Sequence, residues 1–289
     1  MAQISDRNWT MREEIWLALR GHMSLSRHFR YRLEASVAAM PRLYSLGIRS
    51  FGSPAPLKLL FINVIKRGDV VFDVGANRGI FTSYFSNLVG PLGKVHAFEP
   101  SSRTCEMLRA SLMARTVHDN IILNCCAVGD SRGSALLYTP AGDDGQASLV
   151  EHSDGSWLGA SEVLTEPCDV VALDDYVEGQ RLSQIDFVKV DVEGAERLVI
   201  GGFLKSLRRF KPVLTVELCS RWSKDFGHRP AELLMMLQEL GYDHFDEVGK
   251  TGRLIEMRGL DCLNESGESV DVVCSFSSSG LSRFRSTVR

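Results

Sequence analysis

Hydrophobic and polar positions follow two different rhythms along this chain. Up to about residue 67 the apolar positions recur at helical spacing. Thr10-Met11-Arg12-Glu13 forms a capping box ahead of IWLALR, and Gly21 stands where a helix stop belongs. A second stripe, Leu25, Phe29, Leu33, Val37 and Met40, follows Ser24 and ends at Pro41. From Lys66 onward, short apolar runs alternate with amphipathic stretches. VVFDV, KVHAFEP, IILNCCAV, DFVKVDV and PVLTVEL read as strands. Between and after them IFTSYFSNLV, SSRTCEMLRASLMA, EGAERLVIGGFLKSL and RPAELLMMLQEL read as helices, with RWSKDFGHRP as a loop. Pro230 falls in the first turn of the last helix and Gly241 stops it. Residues 129–170, with Gly, Asp, Ser and short β-like pieces, break the rhythm and predict an insertion or hairpin excursion. SVDVVCSF reads as a closing strand, and the polar, basic tail of residues 276–289 as disordered.

Strands alternating with helices of these lengths predict an α/β fold, a mostly parallel sheet covered on both faces. Ligands of such sheets bind beyond the carboxyl ends of the strands, where strand order reverses. The 289 residues, 44% apolar and 24% charged, suit one large domain with an appendage. The boundaries expected are a helical extension over 1–57 and a main domain over 58–275. A net charge of -3 argues against a dedicated nucleic-acid binder. Eight arginines between Arg7 and Arg49 fit an amphipathic cap with solvated charges, a lid, a substrate-binding arm, or a homo-oligomer contact. Seven cysteines without C-x-x-C spacing, and a polar start, lead to an expectation of reduced thiols in a cytoplasmic protein. No apolar run approaches the roughly 20 residues of a membrane span.

The chemistry concentrates in a few places. A dinucleotide turn needs G-x-G-x-x-G to approach a pyrophosphate. Here the order is Asp73-Val74-Gly75-Ala76-Asn77-Arg78-Gly79. Asn77 replaces the middle glycine and Asp73 precedes the first, which suits a cationic ligand such as S-adenosylmethionine better than a diphosphate. Glu99 lies 20 residues beyond Gly79 at the end of a strand, where an acid accepts hydrogen bonds from ribose hydroxyls. Pro100 and Ser101, which follow, are assigned to the same ligand. Cys126 and Ala127 fall where an adenine ring would pack. Asp191, Glu193 and Glu217 project at the carboxyl edge beside the glycine turn. Asp191 is a candidate for the ligand's ammonium or for the base; Glu193 could instead serve a helix N-terminus, and Glu217 a loop. Two or three oxygen donors without a fourth leave no metal assigned, a divalent ion being the second option. Among the histidines, His228 is the best candidate base, His244 is weaker, and His96 reads as a packed core residue.

VVFDVGANRGIFT, KVHAFEP, VVALDDYV, DFVKVDVEGAERLVIGG and PVLTVEL, in that order and spacing, resemble the FkbM family of S-adenosylmethionine-dependent methyltransferases over roughly residues 58 to 275. The resemblance implies the class I (Rossmann-like) methyltransferase fold: seven strands, the last inserted antiparallel. It implies O-methylation of a hydroxyl on a polyketide, sugar or glycan-linked group. It places Asp73, Gly75, Asn77 and Gly79 at the methionine-side turn, Glu99 at the ribose, and Asp191 and Glu193 at the acidic edge. Two other readings stand beside it: a non-catalytic scaffold on this fold, and an NAD-linked oxidoreductase, which conflicts with the missing middle glycine.

Overall fold

β-branched and aromatic residues build the centre of the molecule. The computed structural model describes residues 56–113, 119–142, 144–152, 157, 162–249, 254–257, 259 and 268–277. The helical stripes expected before residue 41, the arginine-rich span and the tail from residue 278 lie outside the described residues.

In chain order the elements begin with α1 (Pro56–Val64), β1 (Val70–Val74), α2 (Ile80–Val89), β2 (Lys94–Phe98), α3 (Ser102–Met113) and β3 (Ile121–Asn124). An excursion follows: β4 (Ala127–Val128), β5 (Gly133–Pro140), a 3-10 turn over Asp144–Gln146, and β6 (Val163–Val171). The chain returns through α4 (Leu173–Gly179), β7 (Phe187–Val190), α5 (Glu196–Gly201), α6 (Leu204–Phe210), β8 (Val213–Leu218), α7 (Ser220–Asp225) and α8 (Pro230–Glu239). It closes with β9 (His244–Val248), β10 (Leu254–Glu256) and β11 (Val270–Ser275).

The main sheet has eight strands in the order β10-β9-β11-β8-β7-β1-β2-β3. Strand β11 runs antiparallel to both neighbours, β8 and β9, inside an otherwise parallel arrangement. This is the expected class I methyltransferase architecture, with β10 added antiparallel on the β9 edge. The excursion makes its own sheet, β4-β6-β5, as the broken rhythm of 129–170 predicts.

Apolar side chains on both faces explain why these runs become interior strands. Val71, Phe187 and Val213 pack under α1 and α2, while Phe72, Val188, Leu214 and Val216 pack under the helices of the opposite face. Val71, Phe72, Phe187, Val188, Leu214 and Val216 are each 0% exposed. At roughly 1.5–3 kcal/mol for each buried side chain, these six offset the several kcal/mol per ion of burying Asp73 and Lys189 among them.

Four local expectations need correcting. IILNCCAV is two strands, because the chain leaves the main sheet at Cys125 and Cys126 and Ala127–Val128 pair instead with β6. EGAERLVIGGFLKSL is two helices: a Cβ on Gly202 would stand 2.1 Å from the Gly129 carbonyl oxygen, so the excursion's start presses on bare backbone there. RWSKDF is mostly the short helix α7, not a loop. The cysteines are not all reduced, for Cys105 of α3 and Cys125 after β3 form a disulfide with Cα atoms 5.9 Å apart. The β–α–β crossover brings this pair together, which spacing along the chain does not reveal. Cys126, Cys168 and Cys274 are buried thiols. Among the described residues no helix is long and apolar enough to cross a membrane.

Candidate functional site

Strand order reverses between β1 and β7, and a cleft of about 740 Å³, counting its open mouth, lies beyond their carboxyl ends. Its floor is the turn after β1. Gly75 has φ +82°, and a Cβ there would lie 1.7 Å from the Asp191 carbonyl oxygen after β7. Only a bare backbone lets the two strand ends approach this closely. Asn77 is also left-handed, with φ +48°.

The turn is tied to the neighbouring strand end through Glu99. Its Oε2 accepts a hydrogen bond from the Asn77 N–H at 2.8 Å, and its Oε1 one from the Ser101 N–H at 3.0 Å. The carboxyl is buried at 4% exposure. Burial pushes its pKa up to about 7, against the two N–H groups, which favour the anion. Glu99 and Pro100 form one side of the cleft, and Cys126, Ala127 and Val128 line another.

Asp191, Glu193 and Glu217 enter the same cleft from the ends of β7 and β8. Lys189, 4% exposed, places its Nζ 2.7 Å from Asp191 Oδ2 and over the Phe81 ring at 5.1 Å. Against the upward push of burial, the Lys189 ammonium and a hydrogen bond with Glu217 hold the Asp191 carboxyl below its usual range. Glu217 takes the opposite course: burial, then its hydrogen bond with Asp191, raises it to about 8. Glu193 is raised to about 9, first by burial and then by the charges of Asp191 and Glu217. Near neutral pH the edge therefore carries one ionised carboxylate, Asp191, beside two protonated acids.

The remaining wall comes from the excursion. Leu137 of β5 and the segment Gly145, Ala147, Ser148 and Leu149 close the cleft from the excursion. Nothing local marks these small residues, because a long-range return of the chain puts them there. Beyond them, His152 Nδ1 lies 2.9 Å from Asp225 Oδ2, stacked on Trp222 and edge-on to Trp157. His152 was not a candidate either.

Four expected site residues do not line the cleft. Asp73 is 0% exposed and faces α2, where the Thr82 hydroxyl donates to Oδ2 at 2.6 Å. Burial raises its pKa despite Lys189 nearby. Strand alternation decides this: Asp73 and Val74 are successive residues of β1 that point to opposite faces, and Val74 is the one that lines the cleft. Gly79 serves the backbone, left-handed at φ +75°, and a Cβ there would point at Leu108 Cδ1. Ser101 opens α3, its Oγ accepting the Thr104 N–H at 3.3 Å. His228 is 6% exposed, with Nε2 3.1 Å from the Gly194 carbonyl, so it braces a turn behind the cleft rather than facing a substrate. His244 lies at the start of β9, on a strand remote from the cleft lining. His96 is a core residue, its Nδ1 2.7 Å from the Tyr176 hydroxyl; burial lowers it to about 4. Among the described residues no group of three or more His, Cys, Asp or Glu is arranged to hold a metal ion.

Comparison with known proteins adds the following. A domain profile described as "Methyltransferase FkbM domain" matches residues 73–243. The 31-O-demethyl-FK506 methyltransferase FkbM of Streptomyces tacrolimicus is 32% identical over 165 residues, 48% of this chain and 60% of that protein. The 2-O-methyltransferase NoeI of Sinorhizobium fredii is 27% identical over 204 residues, 67% of this chain and 82% of that protein. A crystal structure of a methyltransferase FkbM from Methylobacillus flagellatus aligns at 14% identity with a TM-score of 0.43, over 90% of this chain and 58% of that one.

Proposed function

Because this chain belongs to the FkbM methyltransferase family, we propose that it transfers a methyl group from S-adenosylmethionine to a hydroxyl of a secondary metabolite or a sugar. The observation that carries this reading is the make-up of the cleft lining. Four acids line it, Glu99, Asp191, Glu193 and Glu217, and among the described lining residues there is no lysine, arginine or histidine. A pyrophosphate would find no cation to pair with among these residues, whereas the Asp191 carboxylate and the acids beside it offer acceptors to a ligand bearing an ammonium and a sulfonium. The discrimination expected of Asp73 thus falls to other residues of the same edge.

The residues fit such a ligand. Gly75 leaves bare backbone at the floor, Glu99 is an immobilised acceptor for ribose hydroxyls, and Cys126 and Ala127 give a small, soft surface for a base. Bound S-adenosylmethionine supplies an electrophilic methyl whose C–S bond breaks with the electron pair left on sulfur. The chain's own contribution is positioning and proton removal. Asp191, kept anionic by Lys189, is placed to take the acceptor's hydroxyl proton or to hold the ligand's ammonium. Glu217, protonated and hydrogen-bonded to Asp191, can pass that proton on. Both relatives' names, an O-demethyl substrate's methyltransferase and a 2-O-methyltransferase, support oxygen as the acceptor atom.

A screen of sugars and hydroxylated metabolites for S-adenosylhomocysteine release tests the reading. One acceptor giving stoichiometric product supports it. Binding of the methyl donor without turnover on any hydroxyl would favour the scaffold alternative.

A further inference from the structure

The loop between β7 and α5 is strained. Glu193 has φ +52°, and Gly194 follows with φ +102°. A non-glycine residue in the left-handed region costs of order 1–3 kcal/mol and persists only where its surroundings over-determine it. Here they do. Glu196 Oε1 accepts the Gly194 N–H at 3.0 Å and the Val192 N–H at 3.3 Å. The Ser148 hydroxyl, on the opposite wall, donates to the Glu193 carbonyl at 3.1 Å. His228 Nε2 meets the next carbonyl, that of Gly194, also at 3.1 Å. Each successive carbonyl of the turn is thus held by one side chain, and both side chains are buried, Ser148 at 2% and His228 at 6% exposure.

Ser148 is itself anchored. Its backbone exchanges two hydrogen bonds with Tyr138 of β5, at 2.8 and 2.9 Å. The product of all this restraint is one side chain in the cleft: Glu193 lines it, and its buried Oε2 has no partner among the described residues. A buried polar atom without a partner asks for one from a ligand.

We propose that Ser148 and His228 are positioning residues, which clamp the Glu193–Gly194 turn so that the Glu193 carboxyl donates a hydrogen bond to the bound methyl donor. The inference rests on the function proposed above and adds three residues to it with defined roles. The groups facing Glu193 are Lys189 of β7, Asp191 just after it, Glu217 of β8 and Glu196 of α5. Three of these are acids that disfavour its ionisation, in keeping with a carboxyl that donates. Burial lowers the pKa of His228, so its ring is neutral, and against a carbonyl it donates from Nε2.

Titration calorimetry of the full chain with S-adenosylmethionine tests this without any acceptor. Ser148→Ala and His228→Leu are each expected to weaken binding about tenfold, the scale of one hydrogen bond. Ser148→Thr and His228→Gln, which keep a donor, are expected to stay within about threefold. Glu193→Gln, which donates but does not titrate, isolates the proton. From pH 7.5 to 9.5 wild-type affinity should fall about fourfold more than that of E193Q, as a carboxyl titrating near 9 requires. Ser148→Ala should abolish that extra fall. Binding by S148A and H228L within twofold of wild type overturns the proposal, and so does failure of both rescue variants. A wild-type pH response equal to that of E193Q overturns it even if S148A or H228L does not fold. If wild type itself shows no saturable binding, the functional reading fails first, a result distinct from these.

Discussion

Asp191 is charged because Lys189 is buried beside it, 2.7 Å away, and Glu217 is held protonated first by its burial and then by its hydrogen bond with Asp191. The three act as one unit, and a change at one is felt at the others. Asp191→Asn leaves the Lys189 ammonium without its partner, a change that costs about 3–5 kcal/mol where a buried pair is broken, moderated by Asp73 and Glu217 nearby. It is expected to reduce methyl transfer to background on any acceptor the screen identifies, while circular dichroism still shows a folded chain. Wild-type turnover in the variant would remove Asp191 from proton transfer. These residues were legible because they stand at or just past the carboxyl ends of β7 and β8, an edge set by topology. The position of Asp73, off the cleft lining, was not legible. Its place before Gly75 is visible in the sequence, but the face of β1 it occupies depends on which residue ends the strand.

At the scale of elements, the turn after β1 is the clearest case of a structural demand read correctly. VVFDV followed by two spaced glycines predicts a strand, a tight turn and a helix, and β1 and α2 are those elements. The two glycines serve different ends. A Cβ on Gly75 would run into the Asp191 backbone carbonyl, which cannot yield, whereas on Gly79 it would meet the movable end of Leu108. Gly75→Ala is therefore expected to lower the melting temperature by several degrees and to abolish donor binding, its φ alone costing about 1–3 kcal/mol. Gly133→Ala, with nothing within 4 Å of the new methyl, is the control and should leave both unchanged. An equally stable G75A that binds the donor would refute the close-approach account. The sequence offers 140–165 as a pocket loop, but the roles of single residues over 144–150 could not be read because small residues there have no periodicity. Their role comes from the Tyr138–Ser148 bridge and the contact with Glu193.

Across the whole molecule, buried acids dominate the pH response. Glu99 and Glu196 are raised to about 7, Glu217 to about 8 and Glu193 to about 9, all chiefly by burial. Between pH 6.5 and 9 the folded chain therefore binds more protons than the unfolded chain, where these groups titrate near 4.5. Stability must then fall as pH rises through this window. His96 and His228, lowered by burial, act only below about pH 6.5, where they destabilise the fold as pH falls. Melting temperatures of the ligand-free chain should decline steadily from pH 6.5 to 9; a flat or rising profile would contradict the burial of these carboxyls. The α/β order was readable throughout this frame because apolar runs buried on both faces differ so plainly from amphipathic helices. The disulfide between Cys105 and Cys125 was not, since only the folded crossover juxtaposes them. The central claim is that the acidic cleft binds S-adenosylmethionine through Glu99 and its neighbours. Isothermal titration of wild type and Glu99→Ala with S-adenosylmethionine measures it directly. Saturable binding to wild type, weakened more than about tenfold in the variant, is the predicted result, and absent binding or equal affinities would contradict it.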